Sequence, residues 1–404
     1  MTPPTTTSRP EVDLLEPTFY QGDPHPAFTW MRANEPVYRD EANGLWAVTR
    51  HADVLAVERD SATFVSGRGY RSFHEPMENN IIALDDPEHV AQRRLVSDRF
   101  TPRAVRSHEE WLSATIDSLL EPLADGAEFD AVTALAAQLP CRLTARLLGF
   151  PEDRWADVQS WSERLMRYDM VHRDQSAAEG SFTAIVEFAT LLAEIAPERR
   201  GCPMDDLVSV WTNAELPGGL PYDFERLINE VGLFIAGGAE TTRTAIAHGL
   251  HIFSQHPDQW ERLAAAPDLV ASGVEELIRW VTPLNNFFRT AVADARIGEQ
   301  PVAEGDRIIL LYPSANRDED VFDDPFTFDV GRSPNPHVSF GYGTHFCIGA
   351  NLARYELRML FGELTRRFEP PVALGPCEVE ANIFARSVTS FPCSLTPRRA
   401  DGDQ

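Results

Sequence analysis

The stretch "HVSFGYGTHFCIGANLARYELRML", residues 337–360, joins a glycine-rich loop to a helical pattern. It holds one cysteine, Cys347, three residues before apolar side chains begin to recur at helical spacing. A thiolate is a soft ligand that suits iron or copper, and glycines let a backbone approach a flat ligand closely. A helix N-terminus aimed at the sulfur would lower the thiol pKa. The stretch predicts a helix over Ala350–Arg367 and leaves three roles for the thiol: metal ligand, nucleophile or inert core residue.

The composition is that of a soluble globular protein, with 404 residues of which 43% are hydrophobic and 24% charged. The formal net charge of −26 argues against general nucleic-acid binding. No apolar run approaches the roughly 18 to 20 residues that cross a bilayer, and the start "MTPPTTTSRP" lacks the apolar core of a signal peptide. We therefore expect a cytoplasmic protein without a membrane anchor, with a disordered tail at 1–15 and a single domain over 16–404.

Cysteine usage argues against a disulfide framework or a zinc site, because the count is odd and no CxxC pair occurs. The five cysteines are Cys141, Cys202, Cys347, Cys377 and Cys393.

The pattern of apolar residues predicts a mainly α fold with small β-sheets. Helical spacing dominates from about 87 to 270, whereas "LWAVTR" at 45–50 and "RIILLY" at 307–312 are typical of strands. No linker rich in proline, glycine and serine divides the chain, which again favours one domain.

One long helix, from about 223 to 255, has a centre that is unfavourable for a helix. Gly237 and Gly238 each cost about 1 kcal/mol relative to alanine, and Glu240 and Thr241 follow inside an apolar wall. A local distortion or a function at Glu240 explains such a sequence, and a simple kink with Glu240 in solvent is the alternative.

These segments together resemble the cytochrome P450 family of haem-thiolate monooxygenases. The pattern Phe-x-Gly-x-x-x-Cys-x-Gly of the family's haem loop is met by Phe340, Gly343, Cys347 and Gly349. The acid–alcohol segment of its long helix is met by Gly237, Gly238, Glu240 and Thr241. Its Glu-x-x-Arg motif is met by Glu276 and Arg279, and Arg332 is similar to the arginine that completes that structural network.

The resemblance implies a single-domain cytochrome P450 fold with haem b between the long distal helix and the cysteine loop. Cys347 would be the axial ligand, and Glu240 and Thr241 would deliver protons to dioxygen. Many relatives carry Asp at the position of Glu240, and the longer Glu keeps the charge. The other expected haem contacts are His89, Arg93, Arg289, Phe340, Gly341, His345, Gly349, Ala236 and Gly237.

The resemblance also implies an apolar substrate: a steroid, terpenoid or fatty-acyl compound. The expected pocket residues are Tyr70, Phe73, Met77, Ile81, Ile82, Phe234, Leu284, Phe287, Phe288 and Val388. A natural-product tailoring oxidase of the polyketide type, and a haem-thiolate binding or sensing protein without turnover, are the alternatives. Peroxide use and an isomerase or coupling reaction at the haem are further possibilities.

Electrons would come from a ferredoxin and its reductase, because the chain has no room for a flavin or nicotinamide domain. Docking of an acidic ferredoxin needs a local basic surface, for which the candidates are Arg93, Arg94, Arg99, Arg103, Arg354 and Arg358.

Overall fold

The structure is a computed structural model that describes residues 8–74, 78–216 and 220–399. Helices make up most of it, as expected. They are α1 Pro17–Gln21, α2 His25–Asn34, α3 His51–Arg59, α4 Glu88–Val96, α5 Pro102–Arg106, α6 Glu109–Leu120, α7 Gln138–Leu148, α8 Trp155–Met166, α9 Gln175–Gly201, α10 Leu207–Thr212, α11 Phe224–Ile235, α12 Thr241–Gln255, α13 Pro257–Ala265, α14 Val270–Val281, α15 Tyr312–Ala315 and α16 Ala350–Arg367.

The strands are short and form one sheet of five strands with smaller sheets beside it. They are β1 Val37–Asp40, β2 Leu45–Val48, β3 Phe64–Val65, β4 Phe129–Asp130, β5 Glu215–Leu216, β6 Leu220–Pro221, β7 Asn286–Ala291, β8 Ala295–Ile297, β9 Gln300–Val302, β10 Arg307–Leu311, β11 Val372–Ala373, β12 Glu378–Val379, β13 Val388–Ser390 and β14 Pro392–Ser394. The main sheet has the order β1-β2-β10-β7-β3, and β10 pairs parallel to β2 and antiparallel to β7. The strand predictions at 45–50 and 307–312 are confirmed.

The long helix is interrupted where the sequence predicts a distortion. A π-helical turn, Ala236–Glu240, separates α11 from α12. Thr241 Oγ1 donates a hydrogen bond to the carbonyl of Gly237 at 2.9 Å. The hydroxyl thus provides a hydrogen-bond partner for this carbonyl within the wider turn. At Gly238 an added Cβ would lie 2.9 Å from Thr144 Oγ1 on α7, so the close packing of the two helices there needs a glycine. Single π-turns inside α-helices occur frequently at functional sites.

Part of the segment expected to be a disordered tail packs against the domain. Leu14 is fully buried, and Arg9 makes a 3.0 Å ion pair with Glu35, so residues 8–15 are folded onto the domain. Residues 1–7 lie outside the described part of the chain.

Helix α9 is long and apolar enough, by length and composition, to cross a membrane. The sequence predicts no uninterrupted apolar run of that length, and α9 is not one, because four glutamates are spread over its 27 residues. One side of α9 packs against α8, with Ala184 and Phe188 in the core.

Candidate active site

The cysteine loop ends at α16, which begins at Ala350 and finishes at Arg367 as the sequence predicts. Gly341 and Gly343 have φ values of +65° and +69°, a region that side chains rarely adopt. An added Cβ at Gly343 would lie 2.3 Å from the carbonyl oxygen of Glu58. The loop is thus fitted against the end of α3 by its glycines.

The start of α16 lowers the pKa of the Cys347 thiol, as expected, through the backbone N–H groups of Gly349 and Ala350, but it does not set the net shift. Burial raises the pKa of the thiol above its ordinary value, and the backbone N–H of Gly349 and the Arg93 guanidinium only partly oppose this effect. A helix N-terminus alone does not outweigh the loss of solvent around the sulfur.

Cys347 lines a large cavity that also reaches the π-turn of the long helix. The cavity holds about 1750 Å³ of space free of protein atoms, counting its opening to solvent. Of the expected haem contacts, it is lined by Ala236, Gly237, Phe340, Gly341, His345, Cys347 and Gly349, together with Arg93 and Arg289. Residues far apart in sequence thus meet at one site.

Cationic and imidazole side chains gather at one side of the cavity. The rings of His89 and His345 lie 4.3 Å apart, and Nε2 of the buried His89 has no hydrogen-bond partner in the described residues. Burial lowers the pKa of His345 to about 2, with help from Arg289, His89 and Arg93. His89 itself does not line the cavity, so its expected contact with a cofactor is not visible in the lining.

Glu58 also lies at the cationic side of the cavity, and the sequence did not indicate it. Its Oε1 accepts a hydrogen bond from the Tyr312 hydroxyl at 2.7 Å and lies 3.7 Å from Arg289 Nη2. Burial raises the pKa of Glu58 to about 7, although Arg289 and Tyr312 favour the charged form. Arg289 therefore faces the cavity beside a carboxyl group that only partly neutralises it.

A haem fits these residues. The cavity joins a thiol to several cationic or imidazole groups, which suit a flat ligand with a metal and two carboxylates. At Gly237 an added Cβ would meet nothing within 4 Å, so the helix presents bare backbone to open space there.

The two residues of the acid–alcohol pair lie in different surroundings. Thr241 lines the cavity, whereas the Glu240 side chain is buried away from it and pairs with Arg243 at 3.0 Å. Arg243 also binds Glu163 at 2.7 Å and donates to the carbonyl of Val388 at 3.0 Å. Burial raises the pKa of Glu240, and Arg243 opposes the rise. Glu240 is thus neither in solvent nor at the cavity wall.

Glu356 on α16 is a second acid that the sequence did not indicate. It lines the cavity, it is 2% exposed, and its Oε1 has no hydrogen-bond partner in the described residues. Burial raises its pKa to about 8. A carboxyl group that stays protonated at neutral pH therefore faces the cavity.

The structure brings most of the expected pocket residues to the cavity but not all. Tyr70, Ile81, Ile82, Phe234, Leu284 and Phe287 line it. Phe73 instead contacts the His172 ring at 4.6 Å, Phe288 is fully buried in the core on β7, and the Val388 carbonyl binds Arg243. Alternate residues of a strand point to opposite faces, which explains why Phe287 lines the cavity and Phe288 does not. Met77 lies outside the described residues.

The predicted network of Glu276, Arg279 and Arg332 is present and buried. Arg279 Nε lies 2.7 Å and Arg332 Nε 3.1 Å from Glu276 Oε2. Glu276 and Arg279 are both fully buried, and Arg279 also donates to the carbonyl of Asn316 at 2.9 Å. The cluster joins α14 to the segment that leads into the cysteine loop.

The expected basic surface is largely neutralised. Glu275 binds both Arg354, at 2.9 Å, and Arg358, at 3.1 Å. Burial alone would raise the pKa of Glu275, but hydrogen bonds from His337 and Arg354 outweigh it and lower the pKa to about 2. Arg93 donates to the carbonyl of Phe346, and Arg99 pairs with Asp205. Arg94 and Arg103 are exposed and make no ion pair within the described ranges.

Cys377 belongs to a separate cluster. Its sulfur and one ring nitrogen each of His248 and His251 lie within 4.8 Å of one another. The three residues are absent from the lining of the Cys347 cavity. His248 and His251 lie three residues apart on α12, a spacing that puts both rings on one face of the helix, whereas nothing in the sequence links Cys377 to them.

Comparison with known proteins gives the class of this fold and site. A family model described as Cytochrome P450 matches residues 202–378. Steroid C26-monooxygenase of Mycolicibacterium smegmatis is 36% identical over 398 residues, covering 96% of this chain and 97% of the relative. Linalool 8-monooxygenase of Pseudomonas putida is 35% identical over 376 residues, with 88% and 91% covered.

Solved structures agree. A Mycobacterium marinum cytochrome P450, CYP268A2, in complex with pseudoionone has a TM-score of 0.88 and 33% identity, covering 96% of this chain and 100% of that one. A mutant of P450 EryK in complex with erythromycin B has a TM-score of 0.83 and 31% identity, with 92% and 96% covered. The chain belongs to the cytochrome P450 family. It is a monooxygenase of that family, whose members hold haem through a cysteine thiolate.

Proposed function

We propose that the protein inserts one oxygen atom from O₂ into a mainly apolar substrate, with Cys347 as the axial ligand of haem b. The observation that carries this proposal is the single cavity that Cys347 shares with Gly237 and Thr241 of the long helix. When bound, the haem supplies the activation of dioxygen, and a thiolate ligand favours cleavage of the O–O bond. The haem would lie between the distal helix and the cysteine loop.

The cationic side of the cavity would bind the two haem propionates. Arg93 and Arg289 would act as charged donors, and His345 as a neutral hydrogen-bonding group. His89 has a ring nitrogen without a partner in the described residues, lies beside His345, and would help to bind the same propionates. Phe340 would pack near the sulfur, where its ring already lies under the Arg354 guanidinium at 4.4 Å.

Proton delivery would use Thr241 at the cavity wall and a carboxyl group behind it. Thr241 Oγ1 holds its proton in a hydrogen bond to Gly237, and so would order water at the wall. The Glu240 carboxylate forms an ion pair with Arg243 away from the cavity. This ion pair must break before Glu240 can pass on a proton. Glu356, which is protonated below a pH of about 8, would be a second donor that needs no such release.

An apolar substrate is supported by the walls of the cavity, where Ile81, Ile82, Leu284 and Phe287 expose hydrocarbon surface. Relatives named for a steroid and for linalool support a steroid or terpenoid in particular. A natural-product tailoring oxidase is the second candidate, because the structure also resembles P450 EryK with erythromycin B. Cytoplasmic location is supported by the absence of any disulfide among the five cysteines, all of which are described.

A ferredoxin would dock where Arg94 and Arg103 are exposed without an ion-pair partner in the described residues and where Phe346, next to the ligand cysteine, is 40% exposed. Exchanging Arg94 or Arg103 for Glu should raise the KM for ferredoxin several-fold and weaken its dependence on salt. The exposed Arg296 on β8 provides the control: Arg296→Glu should leave that KM unchanged. Equal effects of all three exchanges would place the ferredoxin elsewhere.

The experiment that tests the function is the spectrum of the reduced protein under carbon monoxide, followed by ¹⁸O₂ labelling of the product. A strongly red-shifted Soret band and one labelled oxygen per product are expected. Cys347→Ser should abolish the red-shifted band, whereas Cys377→Ser should keep it. A band lost only in Cys377→Ser would move the ligand to the histidine cluster, and a product without label would exclude O₂ as the oxygen source.

A further inference from the structure

A further polar cluster, besides the cationic side and Glu356, lies in the wall of the cavity. Arg71, which lines the cavity and is 9% exposed, lies between two carboxylates. Its Nε donates to Glu78 Oε1 at 3.1 Å and its Nη1 to Asp169 Oδ2 at 2.8 Å. The Tyr70 hydroxyl donates to the same Glu78 oxygen at 2.7 Å. A buried guanidinium is therefore held at the wall by groups from two distant segments.

The position of Arg71 is fixed on several sides. Its guanidinium carbon lies 4.9 Å from the centre of the Tyr70 ring, 5.1 Å from that of Tyr168 and 5.6 Å from that of Phe384. Arg307 donates to the backbone carbonyls of Arg71 and Ser72. A donor group held in this way loses little conformational freedom when a ligand binds to it.

One of the three nitrogens of the Arg71 guanidinium has no hydrogen-bond partner among the described residues. Within the described ranges, Arg71 Nη2 makes no hydrogen bond, although Nε and Nη1 each have a carboxylate partner. The charges of the cluster already cancel: Arg71 faces Glu78 and Asp169, and Asp169 also interacts with the Arg307 guanidinium. Among the described residues, the cluster thus leaves the N–H groups of Nη2 without a partner and has no unpaired positive charge.

We propose that Arg71 Nη2 is a substrate anchor for a neutral oxygen acceptor, such as a ketone, and that it disfavours a carboxylate. This inference rests on the proposed function and narrows its substrate class. A ketone oxygen would accept the free hydrogen bond without adding charge. An ionised carboxylate would bring a third negative group beside Glu78 and Asp169 and would lose its hydration in an apolar pocket. The substrate is then a hydrocarbon skeleton that carries a neutral oxygen, and free fatty acids are disfavoured.

Three probes of nearly equal shape test the proposal on the haem-loaded protein: tridecan-2-one, dodecanoic acid and tridecane. Binding is measured by calorimetry and, separately, by the ligand-induced change in the ferric Soret band. The ketone should bind about tenfold or more tighter than either the acid or the alkane, as expected for a hydrogen bond to a charged donor. Equal affinities, tighter binding of the acid, or no binding of the ketone would each overturn the proposal.

Two variants separate an anchor from a merely structural arginine. Arg71→Gln should lower ketone affinity about tenfold and leave alkane affinity within about twofold, and Arg71→Lys, which keeps the charge, should lose less. A purely structural Arg71 would weaken all three probes together. If the variants do not fold, the affinities of the unchanged protein for the three probes still test the proposal. The carbon monoxide spectrum reports the haem assignment independently, so its failure is distinguishable from a failure of ligand selection.

Discussion

The buried acid Glu356 gives a quantitative prediction for stability. Burial raises its pKa from 4.5 to about 8, so ionising it in the folded protein costs up to about 5 kcal/mol. The unfolded chain ionises at the lower pKa, and the folded protein therefore binds the extra proton between these pH values. The contribution of Glu356 to stability therefore falls as pH rises from 4.5 to about 8 and stays constant above it. Glu356→Gln removes this loss.

Urea unfolding of the haem-loaded protein, followed by circular dichroism at pH 5.5, 7 and 9, measures the effect. The variant should gain about 1.4 kcal/mol relative to the original protein at pH 5.5 and up to about 5 kcal/mol at pH 9. Glu225→Gln, on an exposed part of α11, is the control and should give the same difference at every pH. A stability difference for Glu356→Gln that does not change with pH would show that water or a cation already solvates the carboxylate.

Three further predictions follow from contacts described above. Glu276→Gln should cost about 3 to 5 kcal/mol of unfolding free energy, because two buried guanidiniums lose their carboxylate; a urea midpoint within error of the original would contradict this. Gly343→Ala should reduce haem occupancy, read from the Soret absorbance per protein, because its Cβ would lie 2.3 Å from a carbonyl oxygen, whereas Gly362→Ala, with open space around it, should not. Thr241→Ala should release peroxide and lower product per NADH; unchanged coupling would remove Thr241 from proton delivery.

Local patterns predicted the parts of the fold that depend on local chemistry. The helix after Cys347 begins and ends where expected, because the glycine loop and the apolar spacing both act within a few residues. The distortion at Gly237 and Gly238 was also visible, since two glycines and two threonines weaken any helix.

The missed residues depend on contacts between distant segments. Glu58 meets Tyr312, and Arg71 meets Asp169, through the packing of helices and strands that no spacing in the sequence records. The net rise in the pKa of Cys347 has the same origin, because burial is set by the whole fold and outweighs the lowering effect of the nearby helix end. Two of the expected basic residues, Arg354 and Arg358, are neutralised by Glu275, which looks like an ordinary helix residue in the sequence.

The contact between Arg243 and the carbonyl of Val388 ties the buried acid of the long helix to residue 388 of a 404-residue chain. On the ribosome, Glu240 and Arg243 are made long before that carbonyl exists. The nascent long helix therefore carries an ion pair whose final partner is synthesised 145 residues later. Chains that end before residue 388 would lack the backbone carbonyl that accepts a hydrogen bond from Arg243. Strand β13 thus completes the set of partners of a buried arginine that is synthesised 145 residues earlier.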